Sequence, residues 1–295
     1  MQTLMVRSLK LLFCAATVVG SAPNPPFRGT VALADTRHAV SFGERPSGSP
    51  ANLKLRDWIV AELKPTGAQV SLDAFSGRTP DGPVPMANVI GKFAGTSGKA
   101  IAITGHFDTK KIAGVHFLGA NDAGSSTGFL LEFARVLAKM KHRDDIYLVF
   151  FDGEEARRDW TDADSLYGSR HLAAKRSADG TNRRLKALIN VDMTGDKNLR
   201  VWWDTNSAAS LRGLIWDIAD SLGYSAAFPR QGGGIDDDHM PFLNAGVRAA
   251  DLIDFDSQNT FWHKPADTMD KLSARSFEII GAVLMKTIEE LEQQK

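Results

Sequence analysis

Ile146-Tyr147-Leu148-Val149-Phe150-Phe151 runs straight into Asp152-Gly153-Glu154-Glu155. A short uncharged run of large apolar side chains is the pattern of a strand buried on both faces, and the acids after it belong to the loop at its carboxyl end. Two other runs repeat the arrangement. Ala100–Thr104 is followed by His106 and Asp108, and Ala187–Val191 closes on Asp192. Between the runs, Phe129, Leu130, Phe133 and Leu137 recur at helical spacing over about 125 to 140, and a second helix is expected over about 165 to 175. Further out the spacing predicts a helix at 51–64, strands at 69–75 and 86–93 around a Gly/Pro-rich loop at 76–85, a helix at 207–222, a strand at 247–253 and a closing helix at 272–292. This alternation predicts a single α/β domain with a mostly parallel, mixed central sheet flanked by helices on both faces. Ligands of such sheets collect at the carboxyl edge of the strands, where three separate strands here deliver acids or histidine.

The composition narrows the chemistry. Of 295 residues 43% are hydrophobic and 24% charged, enough for a sizeable core and too ordered a mixture for a disordered chain. Lys+Arg 35 balances Asp+Glu 35, so no net charge draws the chain to nucleic acid, and a monomer is expected. Cys14 is the only cysteine. An intrachain disulfide and thiolate metal sites are therefore excluded, and a metal must sit on histidine and carboxylate.

Two histidines and several carboxylates suit zinc, with manganese or another divalent ion as the alternative. A catalytic zinc takes three protein ligands and keeps a fourth position open. Asp122 in Gly119-Ala120-Asn121-Asp122, one of the pair Glu154-Glu155, and His263 in Phe261-Trp262-His263 could supply the three. Adjacent glutamates on a turn point in different directions, so one can bind metal while the other remains free as a general acid/base. His106 and Asp192 could hold a second metal or support the first. Asp108, two residues from His106, is expected to accept the imidazole N–H and fix its tautomer.

The first 34 residues read as a targeting segment and linker, with the catalytic domain over 35–295. Arg7 and Lys10 precede the apolar run Leu11–Gly20, and small residues follow at Ser21-Ala22 and Ala32-Leu33-Ala34, as in a secretory signal peptide. The run is too short for a bilayer span, which needs about 20 residues. Export is expected, with the mature chain beginning between Pro23 and Asp35.

His106-Phe107-Asp108, Gly119-Ala120-Asn121-Asp122, Glu154-Glu155, Val191-Asp192-Met193 and Trp262-His263 resemble, in order, the metal-site motifs of the M28 zinc aminopeptidase superfamily. The resemblance covers about residues 40 to 290. It is closer to one branch, the animal-type glutaminyl-peptide cyclotransferases, through Phe150–Ala156, Trp160, Asp164-Ser165-Leu166-Tyr167-Gly168-Ser169-Arg170-His171-Leu172-Ala173 and Asp237-Asp238-His239-Met240-Pro241-Phe242. The resemblance implies ring closure of an N-terminal glutamine on peptides or proteins to pyroglutamate, with loss of ammonia. It also implies one zinc on Asp122, Glu155 and His263, Glu154 as proton shuttle, and Asp192 with Asp237 as a hydrogen-bonded acid pair behind it. Trp160, Trp262 and His106 are the residues expected to contact substrate. Where the branch has a substrate-touching glutamine this chain has Asp236, and the branch's disulfide is missing. Asn121 and Gly124-Ser125-Ser126 are closer to the aminopeptidases, so a two-metal hydrolase, its second ion on His106 and Asp192, remains the alternative. A metal-free peptide-binding module on the same fold is a third reading.

Overall fold

The computed structural model describes residues 26–255 and 260–294. Six strands form one mixed sheet in the order β1-β2-β4-β3-β5-β6, where β1 is Gln69–Thr79, β2 Gly82–Phe93, β3 Ala100–His106, β4 Asp145–Phe151, β5 Leu185–Asp192 and β6 Ala249–Ile253. The four strands from β4 to β6 run parallel, and the β1–β2 hairpin joins them at one edge through β2, which is antiparallel to β4. The register places His106 beside Phe151 and Asp192 beside Ile253, so the carboxyl ends of all four parallel strands share one edge.

Alternation along the strands sorts the core into two layers. Ile101, Ile103, Leu148, Phe150, Ile189 and Leu252 face helices α1 (Gly29–Ser41), α2 (Pro50–Leu63), α3 (Gly124–Leu137), α5 (Ala209–Ser221) and α7 (Ala274–Gln293). Ala102, Val149, Phe151, Leu188 and Ala249 face α4 (Tyr167–Ala178) and the short α6 (Met240–Asn244). Period-two side chains on a sheet covered on both sides make the continuous apolar runs that mark β3, β4 and β5.

Two expectations are corrected. The loop expected at 76–85 is mostly strand, because β1 continues to Thr79 and β2 begins at Gly82, leaving only Pro80 and Asp81 to turn. Pro83 and Pro85 are tolerated because β2 pairs with β4 only from Val89 onward, so their missing N–H groups cost no ladder bond on that side. The boundary at residue 34 is also too late. Helix α1 begins at Gly29, and Phe27 is buried with its ring stacked on Phe129 at 5.0 Å between centroids. Ala32, one of the small residues of the cleavage-like cluster, lies in a close helix crossing. Ala32 is fully buried, and a Cβ on Gly128 of α3 would lie 2.4 Å from the Ala32 carbonyl oxygen. The expected signal peptide itself lies outside the described residues, and among those described no helix is long and apolar enough to cross a membrane.

Candidate active site

The site is assembled at the shared strand edge by loops that the backbone holds under constraint. β4 ends at Phe151, and Gly153, with φ +79°, turns the chain so that Glu154 and Glu155 follow on the edge. That φ is one side-chain-bearing residues rarely adopt, so the turn favours glycine there. Three non-glycine residues with left-handed φ lie at or directly beside the candidate ligands: Ala123 (+79°) after Asp122, Met193 (+48°) after Asp192, and His263 itself (+54°). Such conformations cost of order 1–3 kcal/mol each and persist where the surroundings enforce them, commonly at functional sites.

Two acid–imidazole groups converge around Asp122. In the first, His263 Nε2 lies 3.0 Å from Glu155 Oε1 and 3.1 Å from Asp122 Oδ2. In the second, His106 Nε2 lies 3.1 Å from Asp192 Oδ1 and 3.3 Å from Asp122 Oδ1. Each group offers three ligand atoms within 4.8 Å of one another. The donor set suits a metal: Asp122 Oδ2 is buried without accepting a hydrogen bond, and a single ring nitrogen cannot satisfy two carboxylates at once.

Charge is distributed unevenly across the cluster. Burial tends to raise the Asp122 carboxyl, but the His106 and His263 imidazoles against it outweigh this and hold the pKa below the usual range. Burial tends to lower the His263 imidazole, yet Asp122 and Glu155 push it up to about 10. Burial pushes Glu154 well above an ordinary glutamate, with Glu155, Asp237 and Asp238 adding to the rise and His106 opposing it. Burial likewise raises Asp192, and lifts Asp237 to about 6 with help from the Asp192 charge. A buried carboxyl raised in this way can exchange a proton near neutral pH.

A cleft of about 460 Å³ opens onto this cluster, lined among others by Asp122, Glu154, Glu155, Asp192, Asp237 and His263. Trp160 and Trp262, each 40% exposed, form part of its walls. The Trp262 ring stacks on the His263 imidazole at 4.1 Å and meets Phe255 edge-on at 4.9 Å, which fixes the ring of the candidate ligand. The Trp160 indole N–H donates to Asp236 Oδ2 at 3.1 Å.

The structure brings together the residues singled out in sequence, and two of them sit other than expected. His106, expected against the substrate, is 1% exposed and does not line the cleft; it sits beneath, between Asp122 and Asp192. Asp108 does not orient His106, since its Oδ1 is 3.7 Å from Nδ1, too long for a hydrogen bond. Its carboxylate instead accepts the backbone N–H groups of Gly153, Glu154 and Glu155 at 2.9, 3.1 and 3.3 Å. Asp237, expected to form an acid pair with Asp192, is buried close enough to feel the Asp192 charge, and its Oδ2 has no hydrogen-bond partner among the described residues. Sequence reading missed Asp267, which accepts the backbone N–H groups of Asn121 and Asp122 at 2.8 and 3.0 Å, and Lys110, whose Nζ donates to Glu155 Oε2 at 3.3 Å. Neither carries a motif; only the fold brings them to their partners.

The sequence model of peptidase family M28 matches residues 88–288. The glutaminyl cyclase of an Acidobacteriales bacterium is 35% identical and superposes with a TM-score of 0.90 over 95% of this chain and 100% of that one. The glutaminyl-peptide cyclotransferase of Bos taurus is 30% identical over 82% of this chain and 76% of its own length. A Zn-dependent exopeptidase from Parabacteroides distasonis is 26% identical, with a TM-score of 0.82 over 92% of this chain and 100% of that one.

Proposed function

Because the chain belongs to peptidase family M28, and within it to the glutaminyl-peptide cyclotransferases, we propose that it closes the N-terminal glutamine of peptides and proteins to pyroglutamate with release of ammonia. The observation that carries this reading is the 35% identity to a glutaminyl cyclase across 95% of the chain, joined to a cleft that holds a carboxylate, Glu154, beside a separate three-ligand cluster.

Asp122, Glu155 and His263 would hold one zinc ion. When bound there, zinc supplies a Lewis acid that makes the side-chain amide carbon of the substrate glutamine electrophilic. The substrate's own α-amine is the nucleophile, already tethered to that carbon, so orientation within the cleft accounts for much of the acceleration. Glu154 takes one proton from the amine as the new carbon–nitrogen bond forms. It returns that proton to the amide nitrogen as the old bond breaks, so ammonia leaves and Glu154 ends as it began. A carboxyl raised by burial and by the neighbouring Glu155, Asp237 and Asp238 is suited to both transfers. Trp160 and Trp262 hold the curled substrate and exclude bulk water, which keeps hydrolysis from competing. His106, whose Nε2 lies within 3.3 Å of both Asp192 and Asp122, compensates those acids with its own ring, in place of a second ion.

Mass spectrometry of a glutamine-led peptide tests the reading: a loss of about 17 Da is expected, with one zinc per chain, whereas removal of the whole first residue by a two-metal form overturns it.

By the same reading the chain is exported and acts as a monomer. The run Leu11–Gly20 behind Arg7 and Lys10 supports export, the balance of Lys+Arg 35 against Asp+Glu 35 supports a monomer, and the burial of Phe27 favours a mature chain that begins before it. N-terminal sequencing of the secreted form and light scattering check both.

A further inference from the structure

With the glutamine amide at the base of the cleft and its α-amine at Glu154, the rest of a peptide has to leave through the mouth, past Trp160. Apart from the candidate ligands and the acids beside them, the charged residues that line the cleft are Lys110, Arg158, Asp159 and Asp236. Its cations are committed elsewhere. Lys110 donates to Glu155 Oε2 and, at 3.2 Å, to the Ala156 carbonyl oxygen. Arg158 places Nε and NH2 on Asp81 Oδ1 at 3.0 and 2.7 Å, at the turn of the β1–β2 hairpin.

The acids are not matched in this way. Asp236 is exposed, and its Oδ2 is tied to the Trp160 indole, so the charge is held against one wall of the cleft. Asp159 is exposed on the same loop as Trp160, with its backbone N–H anchored on Asp164 Oδ2 at 3.2 Å. Around this mouth the cations are Lys110, Arg157 and Arg158; Asp81 is paired with Arg158 and Asp164 accepts the Arg157, Arg158 and Asp159 backbone N–H groups, leaving Asp159 and Asp236 as acids with no ion pair among the described residues. A carboxylate fixed at the N–H edge of an indole is also a good receiver for an alkyl-borne cation, whose stem can lie across the ring face and whose head can reach the oxygen at its edge.

We infer that Asp236, aided by Asp159, selects peptides whose glutamine is followed by lysine or arginine and discriminates against glutamate or aspartate there. The inference rests on the cyclisation reading above. An exposed, immobilised charge acts on binding more than on the chemical step, so the preference falls on KM, with kcat little changed between substrates.

The test uses the zinc-loaded full chain with three peptides that differ only in the second residue: Gln-Lys, Gln-Ala and Gln-Glu. At low salt kcat/KM is expected to fall in that order, with Gln-Lys above Gln-Glu by roughly tenfold, and to converge at about 1 M salt, where screening acts within a few ångströms. Asp236→Asn keeps an oxygen for the indole and removes the charge, so the Gln-Lys to Gln-Glu ratio is expected to drop several-fold. Asp159→Asn should lower it by less. The products give a second readout: pyroglutamyl-Lys is expected to quench tryptophan fluorescence at lower concentration than pyroglutamyl-Glu. If all three peptides cyclise within twofold of one another at low salt, or the ratio survives Asp236→Asn, the inference is overturned while the cyclase reading stands. If none loses ammonia, the cyclase reading fails and takes the inference with it. Should Asp236→Asn not fold, the salt series on the unaltered chain and Asp159→Asn still decide.

Discussion

Asp108, at the end of β3, accepts the backbone N–H of Glu154, beyond the end of β4, at 3.1 Å, and holds the flanking Gly153 and Glu155 amides with the same carboxylate. One buried acid therefore sets the turn that separates a candidate proton carrier from a candidate metal ligand. Asp108→Ala leaves three amides without their acceptor, each buried donor costing about 1–3 kcal/mol. Thermal unfolding should show lower stability, and competition with a chelator should show zinc affinity reduced by about 10- to 100-fold, the usual cost of losing a group that orients ligands. Unchanged zinc affinity would show that the turn holds its shape without Asp108.

Glu154→Gln preserves volume and removes the proton acceptor. Turnover is expected to fall by about 10²–10⁴-fold, with bound zinc measured by elemental analysis staying at the unaltered level. Loss of metal in this variant would mean that the two adjacent glutamates have exchanged roles.

His263→Ala removes the imidazole whose Nε2 sits within 3.1 Å of both Asp122 and Glu155. The variant should lose stoichiometric zinc. Adding zinc should raise the melting temperature of the unaltered chain, because an ion that binds only the folded state stabilises it by mass action, and should leave the variant unmoved. Chelation should abolish activity of the unaltered chain and zinc should restore it.

Much of the arrangement was legible in the letters, for a reason visible in β4. A strand covered on both faces must be an unbroken apolar run, and polarity resumes where it reaches the edge, so Asp152 to Glu155 declare both the strand's end and the site. Asp192 followed from the same edge, while Asp122 and His263 were picked out by the short motifs around them. The role of Asp108 did not, because its partners are backbone amides 45 residues away, and nothing in a carboxylate's identity says which N–H it will meet. Asp267, 146 residues from Asn121, is hidden in the same way. Helix α1 was misread because Ala32 serves helix crossing with the same small side chain that a cleavage site uses.

Asp204 gives a stability prediction with a definite sign in pH. It accepts hydrogen bonds from Ser207 N–H, Ser207 Oγ, Asn206 N–H and Ile235 N–H at 2.6–2.9 Å, and its Oδ2 lies 3.1 Å from His239 Nε2. Burial tends to raise its carboxyl, but His239 and Ser207 outweigh this and bring it down to about 2. A carboxyl held lower in the folded than in the unfolded chain, where about 3.9 is usual, stabilises fully above that value and loses the contribution as pH falls toward 2. Asp204→Asn should therefore cost about 1–3 kcal/mol in urea unfolding at neutral pH, with the gap to the unaltered chain narrowing between about pH 4 and 2. A gap that is the same at pH 3 and pH 7 contradicts this.

The start of the folded body can be tested by truncation. Phe27 stacks on Phe129 and meets Phe133 at 6.2 Å, a Cβ on Gly281 of α7 would lie 2.4 Å from its ring, and α1 packs across α3 at Gly128. A chain starting at Pro26 keeps these contacts, whereas one starting at Asp35 loses Phe27 and the first turns of α1, uncovering Phe129 and Phe133. Removing one buried phenylalanine side chain alone costs about 3–5 kcal/mol, a large part of the 5–15 kcal/mol that holds a typical domain together. The shorter chain should unfold at markedly lower temperature or be recovered only as aggregate, while the chain from Pro26 melts like the full-length protein. Phe27→Ala in the full chain isolates the ring's share, and equal melting of all three would place the start of the folded body beyond α1.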